Sequence, residues 1–397
     1  MRKLYSALLC ISILMTSCSD SGKEDQPVDP NPLPDENAGN YVEFTCNLFP
    51  MTRAAVAEDA VTEARLYAWG RELQGQKYQD EKDFLYGYTD CFFYTMDKAT
   101  RILVPDYVTL ARNADDPSVW DYSPKLHWYE FNGNPGSFFA VIEPKDCKTH
   151  LTFTQYQQPH IIGRQAYCAE PDELNDEYYY DSGDLHDVMA AYTRNCIKED
   201  YADRDAVTLD FIHLFPRVML HAKLGDQNAL DVTVKDAWIY GLHLNGTHKT
   251  DTEESLGEGW SYSGNPLNTY IHMNLTNPVK LTSEPQSLVD AGHEPHVMPQ
   301  QCKAWTTFAH RDGAGIIMRA RIQNMHDQSY LVGDESKYEL VYVPFPIEKL
   351  EYGRIYNIEI EFGALYRENG AAYGYQLSYR PQIVDWDTES ENVELKK

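Results

Sequence analysis

The chain has 397 residues and a formal net charge of −27, with 61 acidic side chains against 34 lysines and arginines. So acidic a surface repels phosphate backbones, which excludes a nucleic-acid partner. The eight cysteines form no C-x-x-C pair, which argues against a zinc site, and past the N-terminus no stretch is apolar enough for a membrane-spanning helix.

Met1-Arg2-Lys3 is a short basic segment, and Leu4 to Met15 is apolar. The apolar run is too short to cross a bilayer, which takes roughly 20 residues. It reads as a signal peptide over residues 1–17, removed before the mature chain folds. The run ends in Met15-Thr16-Ser17-Cys18. Small residues just before a cysteine predict a lipoprotein signal, with the lipid on the Cys18 thiol. Residues 18–40 carry Asp20, Glu24, Asp25, Pro27, Pro30, Pro32, Pro34 and Gly39. They have too little apolar surface to pack, and read as a disordered tether.

The elements that follow alternate apolar and polar with period two and are rich in Val, Ile, Tyr and Phe. Tyr41–Cys46, Ala64–Trp69 and Phe138–Ile142 come first, then Arg217–Ala222, Tyr338–Val343 and Ile355–Ile360. Such alternation predicts half-buried strands. Between them lie turn formers such as Asn132-Gly133-Asn134-Pro135-Gly136 and Ser263-Gly264-Asn265-Pro266. Short helical patterns are expected only near Asp184–Ala191 and Val104–Arg112. The fold class is all-β, with sandwich packing.

Val61-Thr62-Glu63-Ala64-Arg65-Leu66-Tyr67 echoes Val234-Lys235-Asp236-Ala237-Trp238-Ile239-Tyr240. Each copy follows an alternating segment suited to the first strand of a domain, Tyr41–Phe49 and Arg217–Leu224. The echo predicts two tandem sandwiches, over residues 41–215 and 216–397.

Catalytic patterns are wanting. Gly259-Trp260-Ser261-Tyr262-Ser263 lacks the glycine that a nucleophile elbow needs two residues after its serine. His293, Glu294 and His296 sit in a loop with no zinc-protease helix. The acidic run Glu173, Asp176, Glu177, Asp181, Asp184 and Asp187 lacks calcium-loop spacing, and reads as exposed. His213 follows Leu209 and Phe211 in strand register and is expected to point inward as a structural histidine. No enzyme, cofactor or metal is expected. Cys46, Cys91, Cys147, Cys168, Cys196 and Cys302 form either disulfides, which an exported chain permits, or buried free thiols.

Taken in order, several pieces resemble the Bacteroidetes fimbrillin family, the subunits of type V pili. They are the lipoprotein signal, the strand Tyr41–Phe49 followed by Met51-Thr52-Arg53-Ala54, and Trp128 ahead of Ser137-Phe138-Phe139-Ala140-Val141-Ile142-Glu143-Pro144. Asp187-Val188-Met189-Ala190-Ala191 and Val207–His213 follow, then Leu350-Glu351-Tyr352-Gly353-Arg354-Ile355-Tyr356 and Ile383-Val384-Asp385-Trp386. Asp20, Glu24 and Asp25 resemble the surface-export signal of that phylum's lipoproteins. The resemblance implies two transthyretin-like β-sandwiches and an outer-membrane lipid anchor. It further implies a cut between Arg53 and Ala54 by an Arg-specific surface protease, which releases the first strand.

A strand from a neighbouring pilin would then fill the opened groove, building an extracellular fimbrium that can bind a host or bacterial receptor. The donor would come from residues 375–395, with Tyr375, Leu377, Ile383, Val384, Trp386, Val393 and Leu395 as the candidate side chains. Its alternative is a last strand kept within its own domain. A second reading is an anchored surface lipoprotein that captures glycans by stacking on Trp120, Tyr122, Trp260 and Tyr262.

Overall fold

The computed structural model describes residues 41–48, 61–70, 94–96, 103–105, 107–116, 119–131, 133, 135, 136–144, 150–153, 161–166, 179–201, 206–226, 228–249, 256–306, 312–366 and 372–385. Cys18, Arg53, Ala54, Trp386, Val393 and Leu395 lie outside them, as do residues 1–40, Cys91, Cys147 and Cys168. Among the described residues the structure is strands, joined by turns and by 3-10 helices of three or four residues.

Seven strands close into a ring. They are β1 (Phe44–Leu48), β2 (Glu63–Gly70), β3 (Val108–Arg112), β4 (Trp120–Tyr122), β5 (Gly136–Ile142), β6 (Met189–Cys196) and β7 (Val207–His213), in the order β1-β7-β6-β5-β2-β3-β4. The first and last of these in the chain lie side by side and run parallel, Phe44 opposite Val207 through Leu48 opposite Phe211. The ring closes between β1 and β4 through one pair, Phe44 with Trp120. Its inside is filled by Phe44, Leu66, Leu110, Trp120, Tyr122, Trp128, Phe138, Leu209 and Phe211, among others.

The helical expectations give way to strands. Val108–Arg112 and Met189–Cys196 are β3 and β6, and Leu103–Pro105 is a short strand. In β6 the cause is burial on both faces. Met189 and Ala191 point into the ring, while Ala190, like Val188 just before the strand, packs on a second cluster outside it. A strand covered on both sides loses its alternation and cannot be told from a buried helix by period.

The chain continues through β8 (Arg217–Leu224), β9 (Leu230–Tyr240), β10 (Tyr270–Met273), β11 (Gly315–Asn324), β12 (Glu339–Pro344), β13 (Arg354–Tyr366) and β14 (Ala372–Asp385). One sheet is built on β10-β9-β11, with β12 also paired to β11. The other runs Gln286–Ser287, β8, β13, β14. Val218, Leu220, Ala222, Ile358, Ile360 and Phe362 of the second sheet share one core with Val232, Val234, Ile239, Ile316, Met318 and Val343 of the first. Two sheets over one core make a sandwich. Here too the opening strand lies parallel to a late one, β8 on β13, with Arg217 opposite Ile355.

The sequence echo falls on β2 and β9. Ala64 and Leu66 face the ring's core, and Ala237 and Ile239 the sandwich's, whereas Tyr67 and Tyr240 point to the opposite faces. The outer face of the ring is covered in turn. Tyr67, Phe139, Val141 and Ala190 pack against Phe215, Leu256, Trp260 and Met298.

Candidate functional site

The seat of β1 is built by period two. Val42 and Phe44 are buried and Cys46 and Leu48 half-buried, while Glu43, Thr45 and Asn47 alternate with them: Glu43, Thr45 and Asn47 are exposed. Phe44 meets the rings of Tyr122 and Phe138 edge-on, at centroid distances of 5.4 and 5.1 Å. Burying a side chain of this kind stabilises by roughly 1.5–3 kcal/mol. The Val207 N–H donates to the Glu43 carbonyl at 2.7 Å, and the Val42 N–H to the Leu126 carbonyl at 2.9 Å. The Tyr122 hydroxyl donates to the Val42 carbonyl at 2.7 Å and accepts from the Leu126 N–H at 3.2 Å. So β1 is paired along one whole edge by β7, and along the other by one strand pair and a tyrosine. Arg53 and Ala54 follow Leu48 in the chain within residues 49–60, outside the described part.

The second element is β14. It pairs with β13 from Arg354–Asp385 to Tyr366–Ala372 and forms the edge of its sheet. Tyr375 and Leu377 are half-buried against the core. Tyr379 and Ile383 are 42% and 46% exposed, and Val384 is half-buried. Pro381, which has no N–H to offer, lies within the strand opposite Ile358, as an edge strand allows. The described part of the donor candidate therefore lies in its own sheet, held by backbone pairing and little side-chain burial.

A buried polar group lies where the ring meets the sandwich. The His213 and Asp187 side chains meet at 2.7 Å between Nδ1 and Oδ2. His213 is 2% exposed, as its inward register predicts. Burial alone raises the Asp187 carboxyl, but attraction to His213 and their hydrogen bond outweigh it and hold the group below the usual carboxylate range. Asp187 is thus no part of an exposed acidic loop. Arg217 and Glu294, both buried, pair at 3.1 Å. The His296 ring is within 3.1 Å of the Leu185 carbonyl, and burial pushes it down to about 4. The segment Glu294 to Gln300 is thus internal, while His293 just before it is exposed. His213 also borders a cleft with Ile212, Glu258, Glu351, Tyr352, Gly353 and Arg354. Among the described residues that lining holds no serine or cysteine beside the Asp-His pair.

The four aromatic side chains proposed for glycan stacking divide. Trp120 and Tyr122 belong to the ring's core, 5% and 4% exposed, because alternation along the three-residue β4 turns both inward. Trp260 and Tyr262 instead line a cleft with Gln300, Gln301 and Lys349 to Tyr352. Cys46, Cys196 and Cys302 are free thiols, and burial pushes those of Cys46 and Cys302 up to about 12, far from a reactive thiolate. Among the described residues no cluster suits a metal ion, and no helix is long and apolar enough to cross a membrane.

No family model and no curated protein matches the chain. Solved structures do. A fimbrial protein from Bacteroides vulgatus is 13% identical, with 87% of this chain and 99% of that one covered and a TM-score of 0.48. The tip fimbrial protein Mfa3 from Porphyromonas gingivalis, truncated at its C-terminus, is 10% identical over 87% of this chain and 99% of that one, with a TM-score of 0.36.

Proposed function

We propose that this protein is a structural and adhesive pilus subunit of the fimbrillin type, a stalk or tip component assembled by strand exchange. It is exported under its signal peptide, lipidated on Cys18 and displayed on the outer membrane through the tether. An Arg-specific surface protease cuts between Arg53 and Ala54 and frees β1. The C-terminal segment of the next subunit enters the vacated seat. The two tandem domains, residues 41–215 and 216–397, are built around the ring and the sandwich, with Ile161–Gln165 of the first pairing to Asn245–Lys249 of the second and Tyr180–Asp181 to Tyr270–Met273.

The observation that carries this reading is the seat of β1. Remove that strand and β7 presents a row of unpaired backbone groups beside pockets lined by Tyr122, Phe138, Leu209 and Phe211. An extended peptide satisfies the first by ladder hydrogen bonds and the second by alternate side chains. Val42, Phe44, Cys46 and Leu48 occupy those positions now. Ile383, Val384, Trp386, Val393 and Leu395 offer apolar replacements. Head-to-tail addition of this kind does not close on itself, so it grows filaments.

The test is the N-terminus of the protein on the native cell surface, mapped by mass spectrometry. A start at Ala54 is expected. If all of it starts at lipidated Cys18, the polymerising reading is lost and an anchor subunit or an anchored binding protein is left.

A further inference from the structure

The cleft beside Trp260 and Tyr262 is a built site that strand exchange does not use. It measures about 290 Å³, close to the lower end of small-ligand pockets. A second cleft of about 290 Å³ adjoins it and shares Glu258, Glu351 and Tyr352.

Its walls are fixed from behind. The Trp260 Nε1–H donates to the Leu256 carbonyl at 3.2 Å, and its ring leans on Phe215 and His248. This pins the loop that leads into Ser261–Ser263. The Tyr262 hydroxyl donates to the Pro299 carbonyl at 2.5 Å, and His243 stacks on the ring at 4.7 Å and 17°. The ring nevertheless stays 41% exposed. The Gln300 amide accepts from the His243 N–H at 2.8 Å and donates to the His243 and Met298 carbonyls at 3.0 Å, which locks the floor. Opposite, the Tyr352 ring lies so close to Gly257 that any Cβ there would collide with it.

The charges in the cleft balance. Glu351 pairs with Lys349 at 2.7 Å and approaches Arg354 at 3.8 Å, and Glu258 stands exposed at the rim. Two carboxylates against two cations leave no net charge to recognise an ion, and the molecule's charge of −27 disfavours anions further. What remains is an immobilised aromatic face beside polar side chains. The C–H face of a sugar ring is weakly positive and apolar, and it matches the negative face of an aromatic ring. Amides and carboxylates at the rim suit its hydroxyls.

We propose that this cleft binds a neutral oligosaccharide, stacked on Tyr262 and hydrogen-bonded by Glu258 and Gln301. The proposal does not rest on strand exchange. It is tested on the full chain in detergent, against an array of neutral oligosaccharides with sialylated and sulfated glycans alongside. Intrinsic tryptophan fluorescence, compared with that of Trp260→Phe, then follows each hit in solution. At least one neutral glycan should bind. Tyr262→Ala should weaken it roughly tenfold, the loss of one stacking contact, and Tyr262→Phe by less than about threefold. Should Tyr262→Ala misfold, Glu258→Trp at the exposed rim fills the mouth and should abolish binding. The proposal is overturned if no neutral glycan binds, if only anionic glycans do, or if binding survives both Tyr262→Ala and Glu258→Trp in folded protein.

Discussion

Asp187, His213, His296, Arg217 and Glu294 are drawn from three separate stretches of chain into one buried group, and its protonation ties stability to pH. His296 is pushed down to about 4 by burial and by Arg217, against the opposing pull of Asp187. Between about 4 and the ordinary value of 6.5 the unfolded chain therefore binds a proton on this histidine that the folded chain does not. Stability on this account is full above 6.5 and is lost as pH falls toward 4. Asp187, held low, acts in the same direction below its ordinary value of 3.8. The His296 contribution is on the order of 3 kcal/mol. Urea midpoints should fall between pH 7 and pH 4.5, and His296→Leu should flatten that slope. An unchanged slope would assign the acid sensitivity to other groups.

At the scale of elements, β1 is the strand whose loss opens the ring. Phe44→Ala should cost about 3–5 kcal/mol, the usual range for deleting a buried ring. A thermal melt of the uncut chain reads this directly, and a loss below about 1 kcal/mol would mean that the seat collapses around the gap. Most of this layer was legible in advance. Alternation located β1, β8, β12 and β13, because each has one face on a core and a second face of different polarity; β2 and β5 were read as strands too, on their β-branched and aromatic content, although Tyr67, Phe139 and Val141 make their outer faces apolar and buried as well. It also turned His213 inward. Of the two stretches misread as helical, Val104–Arg112 and Asp184–Ala191, the second has apolar partners on both sides where it enters β6, so period carried no information there. Glu294 and His296 were illegible for another reason. What buries them is Arg217, Leu185 and Asp187, neighbours in space and remote in sequence. Of the aromatic quartet only Tyr262 is exposed: the pairing of β4 with β1 and β3 turns Trp120 and Tyr122 into the core, and Trp260 packs on Phe215 and Met298.

For the whole molecule, the parallel pairing of a first and a late strand occurs twice, β1 on β7 and β8 on β13. With the echo on β2 and β9, this supports two related units in tandem. Assembly is the property that belongs to this scale. If residues beyond Asp385 enter the neighbour's seat, removing 386–397 should leave a folded subunit that accepts a strand and cannot donate one. Filaments seen by electron microscopy should then be capped at one end and short. Filaments of ordinary length would place the donor elsewhere, with β14 itself the next segment to delete.

The parallel course of β1 and β7 also sets how the subunit bears a load. The chain enters β1 at its start and leaves β7 at its end, directly into β8 through Leu214, Phe215 and Pro216. A pull between the entry and the sandwich therefore drags the two strands lengthwise past each other. Their hydrogen bonds are strained together in shear, rather than opened one at a time as in a zipper. An intact subunit pulled from the N-terminal side of β1 meets that tension with the full five-residue ladder at once.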